Sequence, residues 1–252
     1  MNVKAFLTAV IGIAAVMTTA SIRAAEIKVL ASNGVKAALE ELAPAFERAT
    51  GHKVVITFGL ANVLKRQIEA GEAFDLAILT SAGIDDLAKQ GKVDAGSRAP
   101  IARSGVGIGI RKGAPRPDIA TADALKRTML AASSVSWAKE GQSGIYFATV
   151  LERLGIAEQM KPKLVLAASG SEVGKLLAEG KAQYAALLVN ELMTVPGVEV
   201  LGPLPGELQN YTVFHAGVGV GSKDSSAAKA LIKFLTTPSA GAVFRAKGQE
   251  AG

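Results

Sequence analysis

The chain of 252 residues contains no cysteine, two histidines, one tryptophan and only 5% aromatic residues. Without cysteine there is no disulfide, no thiolate metal site and no thiol for a lipoprotein anchor. Two histidines exclude a His-rich metal centre. Nucleotide and hydrolase signatures are missing too: there is no Walker A loop, no dinucleotide fingerprint, no nucleophile elbow and no clustered metal ligands. No metal and no cofactor are therefore expected. The basic residues are dispersed, as at Lys65-Arg66 and Lys126-Arg127, and are not interleaved with aromatics, so nucleic acid is not an expected partner.

What is present begins with an export pattern. Lys4 precedes an uncharged apolar run from Ala5 to Ala20, and "SIRAAE" offers small residues for cleavage after Ala24. Residues 1–24 read as a signal peptide, which predicts a periplasmic location. Without Lys4 and Arg23 the net charge falls from +6 to about +4, a mild positive field that suits an anionic small molecule.

From residue 25 onward strand and helix patterns alternate. "EIKVLA", "HKVVITF", "FDLAILT", "SGVGIGI", "SSVSWA", "KLVLA", "QYAALLV" and "YTVFHAGVGVG" read as strands. Helical periodicity fills most of the intervals, and the chain ends in helical material from about Ser226. The stretch "VEVLGPLPGELQN" reads as broken by Pro and Gly. This alternation predicts parallel sheets flanked by helices, and open parallel sheets bind ligands at the carboxyl ends of their strands.

Four junctions there carry small or amide side chains: Ser32-Asn33-Gly34, Gly59-Leu60-Ala61-Asn62, Gln142-Ser143-Gly144 and Ser169-Gly170-Ser171-Glu172. Each sits between a strand and a helix, where first-turn N–H groups carry partial positive charge. Small residues let an anion reach those groups. The same residues are also ordinary caps and turns, so the recurrence carries the argument. Asn190 and Glu191 follow the strand "YAALLV" and serve either a helix cap or a ligand. Trp137 is either core or cleft wall. His52 sits in a turn. His215, in an apolar strand, is either a buried structural imidazole or a neutral-pH base.

The runs "FERATGHKVVITFG", "LKRQIEAGEAFDLAILTS", "SGIYFATVLERLGIAEQMKPKLVLA" and "ALIKFLTTPSAGAVFRAKG" resemble, in order and spacing, the periplasmic molybdate-binding proteins among the type 2 solute-binding proteins of ABC importers. The resemblance implies an α/β, two-lobed type 2 periplasmic binding protein fold with parallel-rich sheets flanked by helices. The ligand cleft lies between the lobes. It divides the mature chain into residues 25–100 with 214–252 and residues 101–213. It also implies a monomer serving an ABC transporter's membrane component. The pocket departs from the molybdate pattern: Gly34 stands in a serine's place, Leu60-Ala61-Asn62 replaces a serine cluster, and Val189 stands for a tyrosine. Val173 keeps its type. Lost hydroxyl donors leave oxyanion oxygens unpaired, at about 1–3 kcal/mol each, so the expected ligand is an organic anion, a di- or tricarboxylate. Ser32, Asn33, Gly34, Asn62, Trp137, Ser143, Gly144, Ser171, Val173 and Asn190 are the expected ligand-binding residues. The resemblance also permits a cofactor-free isomerase, since aconitate isomerase shares this fold; its proton carrier would be His215 or Glu191.

Overall fold

The computed structural model describes residues 24–252; the signal peptide read in residues 1–24 falls almost wholly outside them. β1 (Glu26–Ser32) passes through a single 3-10 turn, Asn33–Val35, into α1 (Lys36–Thr50). β2 (Lys53–Gly59) precedes α2 (Ala61–Glu69), and β3 (Leu76–Thr80) precedes α3 (Ser81–Lys89). The 13-residue β4 (Ala99–Arg111) leads to α4 (Ala122–Ala131). β5 (Val135–Ala138), α5 (Gln142–Arg153), α6 (Ala157–Met160), β6 (Leu164–Ala167), α7 (Gly170–Ala178), β7 (Tyr184–Leu188) and α8 (Val189–Met193) follow. β8 (Val198–Pro203), β9 (Tyr211–Val218), α9 (Ser225–Leu235), α10 (Pro238–Ala246) and β10 (Glu250–Ala251) complete the chain.

Local chemistry accounts for most boundaries. α1 buries Ala38, Leu39, Leu42, Ala43 and Phe46 on one stripe and stops at Gly51, whose φ of 75° suits glycine. Thr121 caps α4 by accepting the Ala124 N–H at 3.1 Å. β3 and β7 are apolar runs buried on both faces, as interior strands of helix-covered sheets should be. β2, at the sheet edge, alternates between exposed and half-buried residues.

The strand order is β2-β1-β3-β9-β4-β7-β5-β6, with β8 and β10 also on β4. β1 runs parallel to β2 and β3, and β5 runs parallel to β6 and β7. β9 joins β3 and β4 antiparallel, and β4 is antiparallel to β7, β8 and β10. The sheet is thus mixed, with a parallel triplet in each lobe and antiparallel strands linking them.

β4 changes partners midway. Ala99 to Gly105 pair with β9, and Val106 to Ile110 pair with β7. The loop from β8 to β9 makes the return crossing. Gln209 in that loop clasps the switch: its Oε1 accepts the Val106 N–H and its Nε2 donates to the Val106 carbonyl, both at 3.0 Å. We propose that the lobe boundary follows this switch, between Gly105 and Val106 and again ahead of Tyr211, instead of at residues 100 and 213.

Three elements differ from the sequence reading. β4 starts at Ala99, five residues before "SGVGIGI", because Pro100 falls at a register shift where a missing N–H is tolerated. The broken-looking "VEVLGP" forms β8, which pairs only with β4. Val189 opens α8 instead of closing β7.

Candidate functional site

A pocket lies where the carboxyl ends of β1, β2, β5 and β7 meet the start of β9. Ser32, Asn33, Gly34, Leu60 and Ala61 line it from the first lobe, and Ala138, Gly141, Gln142, Ser143, Gly170, Leu187, Leu188 and Glu191 from the second. Thr212 and Phe214 of β9 close it.

The pocket wall is built of helix starts. α2 begins behind Leu60 and α5 behind Gly141, and neither has a side-chain cap. The Val63 N–H of α2 turns back to the Leu60 carbonyl at 3.0 Å; the N–H groups of Ala61, Gln142 and Ser143, which line the pocket, are the ones a ligand can meet. Ser32 Oγ accepts the Gly34 N–H at 3.2 Å and fixes the turn entering α1. No lysine or arginine is among the lining residues. Negative charge would therefore be met by helix dipoles and neutral donors.

Glu191 is the one ionisable lining side chain. It is the third residue of α8 and reaches back to the backbone of Leu188, as in a capping box. The residue keeps some surface exposure, but its carboxyl is enclosed and packs against Gly170 at the start of α7, where an added Cβ would lie 3.5 Å from Oε1. Burial pushes its pKa up from 4.5 to about 7, offset in part by the Leu188 hydrogen bond. A carboxyl so placed both gives and takes a proton at neutral pH. Glu172, the other nearby acid, is committed to capping α7: its carboxylate accepts the Ala168 N–H at 2.8 Å, and its own N–H donates to Ser169 Oγ.

The structure gathers only part of the expected set. Ser32, Asn33, Gly34, Ser143 and Glu191 line the pocket. Asn62 is not in the lining; its Oδ1 accepts from Gln142 Nε2 at 3.0 Å, across the cleft. Asn190, 2% exposed, donates from Nδ2 to the Gly34 carbonyl at 2.8 Å, and Gln249 Nε2 donates to the same oxygen at 3.0 Å. Ser171 lines an adjoining cavity.

Strand parity moves other expected residues away. Ala138 lines the pocket, so Trp137 before it points to the opposite face and packs edge-on against Phe147 at 5.6 Å. Gly144 serves that packing, since a Cβ there would come closer than 3.0 Å to the indole and to the Ala138 carbonyl. Val173 is core. Thr212 and Phe214 line the pocket, and His215 faces away from it, toward Arg98 and Asp85. Burial, then Arg98, lowers the His215 pKa. Trp137, Gly144, Val173 and His215, expected at the site, lie outside the lining of this pocket.

Thr212 and Phe214 were missed because β9 belongs to the return crossing, far in sequence from every junction. Gln142, Leu60, Ala61 and Gly170 lay inside junctions already noticed. Among the described residues no group of three or more His, Cys, Asp or Glu is arranged to hold a metal ion, and no helix is long and apolar enough to cross a membrane.

A two-lobed α/β protein with an anion-suited cleft is the class these observations define. Residues 27–250 match the model of the bacterial extracellular solute-binding proteins, and the chain belongs to that family. Among curated relatives, aconitate isomerase of a Pseudomonas species is 29% identical over 226 residues, covering 87% of this chain and 86% of that protein. The molybdate-binding protein ModA of Azotobacter vinelandii is 28% identical over 243 residues, 95% of each. The solved periplasmic molybdate-binding protein of Azotobacter vinelandii superposes with a TM-score of 0.77 at 19% identity, covering 90% of this chain and 99% of that one; this likeness concerns the fold.

Proposed function

We propose that the protein is a periplasmic, cofactor-free isomerase that shifts a proton along the three-carbon unit of an aconitate-like polycarboxylate. Glu191 carries the proton. The observation that carries the reading is the enclosed Glu191 carboxyl in a pocket otherwise suited to anions. In such a site a carboxyl donates its O–H to an anionic ligand when protonated and repels it when ionised. A site that must remove a proton from carbon needs such a group.

In this reading the ligand's carboxylates face the starts of α2 and α5, and the Ser143 and Thr212 hydroxyls add donors. Glu191, ionised in part of the population near neutral pH, takes a proton from one terminal carbon. The charge that develops spreads into the carboxylates, where the helix N–H groups stabilise it. Glu191 then returns a proton to the other terminal carbon. Enclosure by the two lobes keeps bulk water from the carbanion-like state. The 29% identity to an aconitate isomerase supports this substrate class.

A second reading, capture of a carboxylate by a monomer for an ABC importer, is favoured by the family itself. One experiment separates the two. EDTA-treated protein is incubated with trans-aconitate and the cis isomer is followed by chromatography, with Glu191→Gln alongside. Conversion lost in Glu191→Gln is the expected result. Tight binding without conversion returns the protein to transport.

A further inference from the structure

A second cavity, about 720 Å³ to its open mouth, lies beyond Glu191 from the ligand pocket. The two share Asn33, Gly170 and Glu191, and the second adds Lys36, Glu40 and Asn190. Its walls are the starts of α1, α7 and α8. Glu191 thus forms the partition between the ligand and a polar chamber open to solvent.

Two observations make that partition passable for a proton. The Glu191 carboxyl abuts Gly170, which has no side chain to seal the gap. Asn190 is 2% exposed and lines the second cavity, and its Oδ1 has no hydrogen-bond partner among the described residues. Its Nδ2 is committed to Gly34. Water fits a chamber of this size and polarity beside it. Lys36 and Glu40, 3.6 Å apart at the mouth, keep the entrance hydrophilic.

We propose that the second cavity is the proton-exchange path of Glu191, through which the proton taken from the substrate is traded with solvent before one is returned to carbon. The inference rests on the isomerase reading. A C–H bond on one terminal carbon breaks, and its electron pair enters the three-carbon unit and its carboxylates. The Glu191 carboxylate becomes a carboxyl. In heavy water the carboxyl exchanges its proton for a deuteron and leaves HOD in the cavity. The electron pair then forms a C–D bond at the other terminal carbon, and the carboxylate is restored. No oxidant or reductant takes part.

The test runs the conversion of trans-aconitate in heavy water and measures deuterium in the first cis product by mass spectrometry. Most product molecules made by the native protein should carry one deuterium. Ala37→Leu and Ser171→Leu each narrow the second cavity without touching the ligand pocket. At least one of them, folded by its melting curve, should still form product with the labelled fraction reduced several-fold. Unlabelled product from the native protein overturns the exchange path while leaving the isomerase intact. Unchanged labelling in both folded variants does the same. No conversion by the native protein overturns the isomerase reading and this inference with it.

Discussion

Glu191 and Gly34 show how much a single position decides. The folded Glu191 pKa of about 7 stands above the ordinary 4.5, so the native state binds more protons than the unfolded chain across that window. The contribution of Glu191 to stability is therefore fully present below pH 4.5 and is lost as pH rises from there to about 7, by about 3 kcal/mol. Glu191→Gln should flatten this dependence, as read from urea unfolding at a series of pH values. Gly34 has a different constraint. A Cβ there would lie closer than 3.0 Å to two atoms of the Phe214 ring, so Gly34→Ala should cost about 1–3 kcal/mol through overpacking. Phe214→Leu in the same chain should recover most of that loss, a coupling that a double-mutant cycle measures. Gly34 was legible as a small residue at a turn, but the ring that demands it comes from β9, 180 residues away.

At the scale of elements, the uncapped starts of α2 and α5 give the pocket its sign. Gln142 opens α5, lines the pocket and bridges to Asn62 on α2. Gln142→Glu adds negative charge where the helix dipole favours it by about 0.3–1 kcal/mol but gives up the Nε2–H donated to Asn62, about 1 kcal/mol, so the free protein should melt within a few degrees of the parent. The same charge opposes an anionic ligand, and affinity should fall at least tenfold, about 1.4 kcal/mol, by calorimetry. Undiminished affinity would mean the ligand is not held as an anion at α5. The junctions behind these helix starts were readable because strand-to-helix turns carry local signatures. β8 was not, because its only partner is the long crossover β4 and its Val-Glu-Val alternation is cut short by Gly202-Pro203.

Across the whole molecule, binding between lobes couples ligand to stability. A ligand at about 100 times its dissociation constant adds about 2.7 kcal/mol. trans-Aconitate should raise the melting temperature, and molybdate at equal concentration should leave it unmoved. The motive is the lining: Gly34, Leu60 and Ala61 offer no hydroxyls where a small tetrahedral dianion would need them. A molybdate shift as large as that of the carboxylate would refute this reading of the pocket.

Alternation of strand and helix, the placement of four junctions and the apolar stripes of the helices are written in local sequence, because capping, turn chemistry and periodicity act within a few residues. They were enough for the fold class and for Ser32, Asn33, Gly34, Ser143 and Glu191 at the pocket. Which face a strand residue presents depends on where that strand sits between its neighbours. Tertiary structure alone therefore sent Trp137 and His215 away from the ligand and brought Thr212 and Phe214 to it. It alone raised the Glu191 pKa, because the enclosure that penalises its charge is made by chain segments from both lobes.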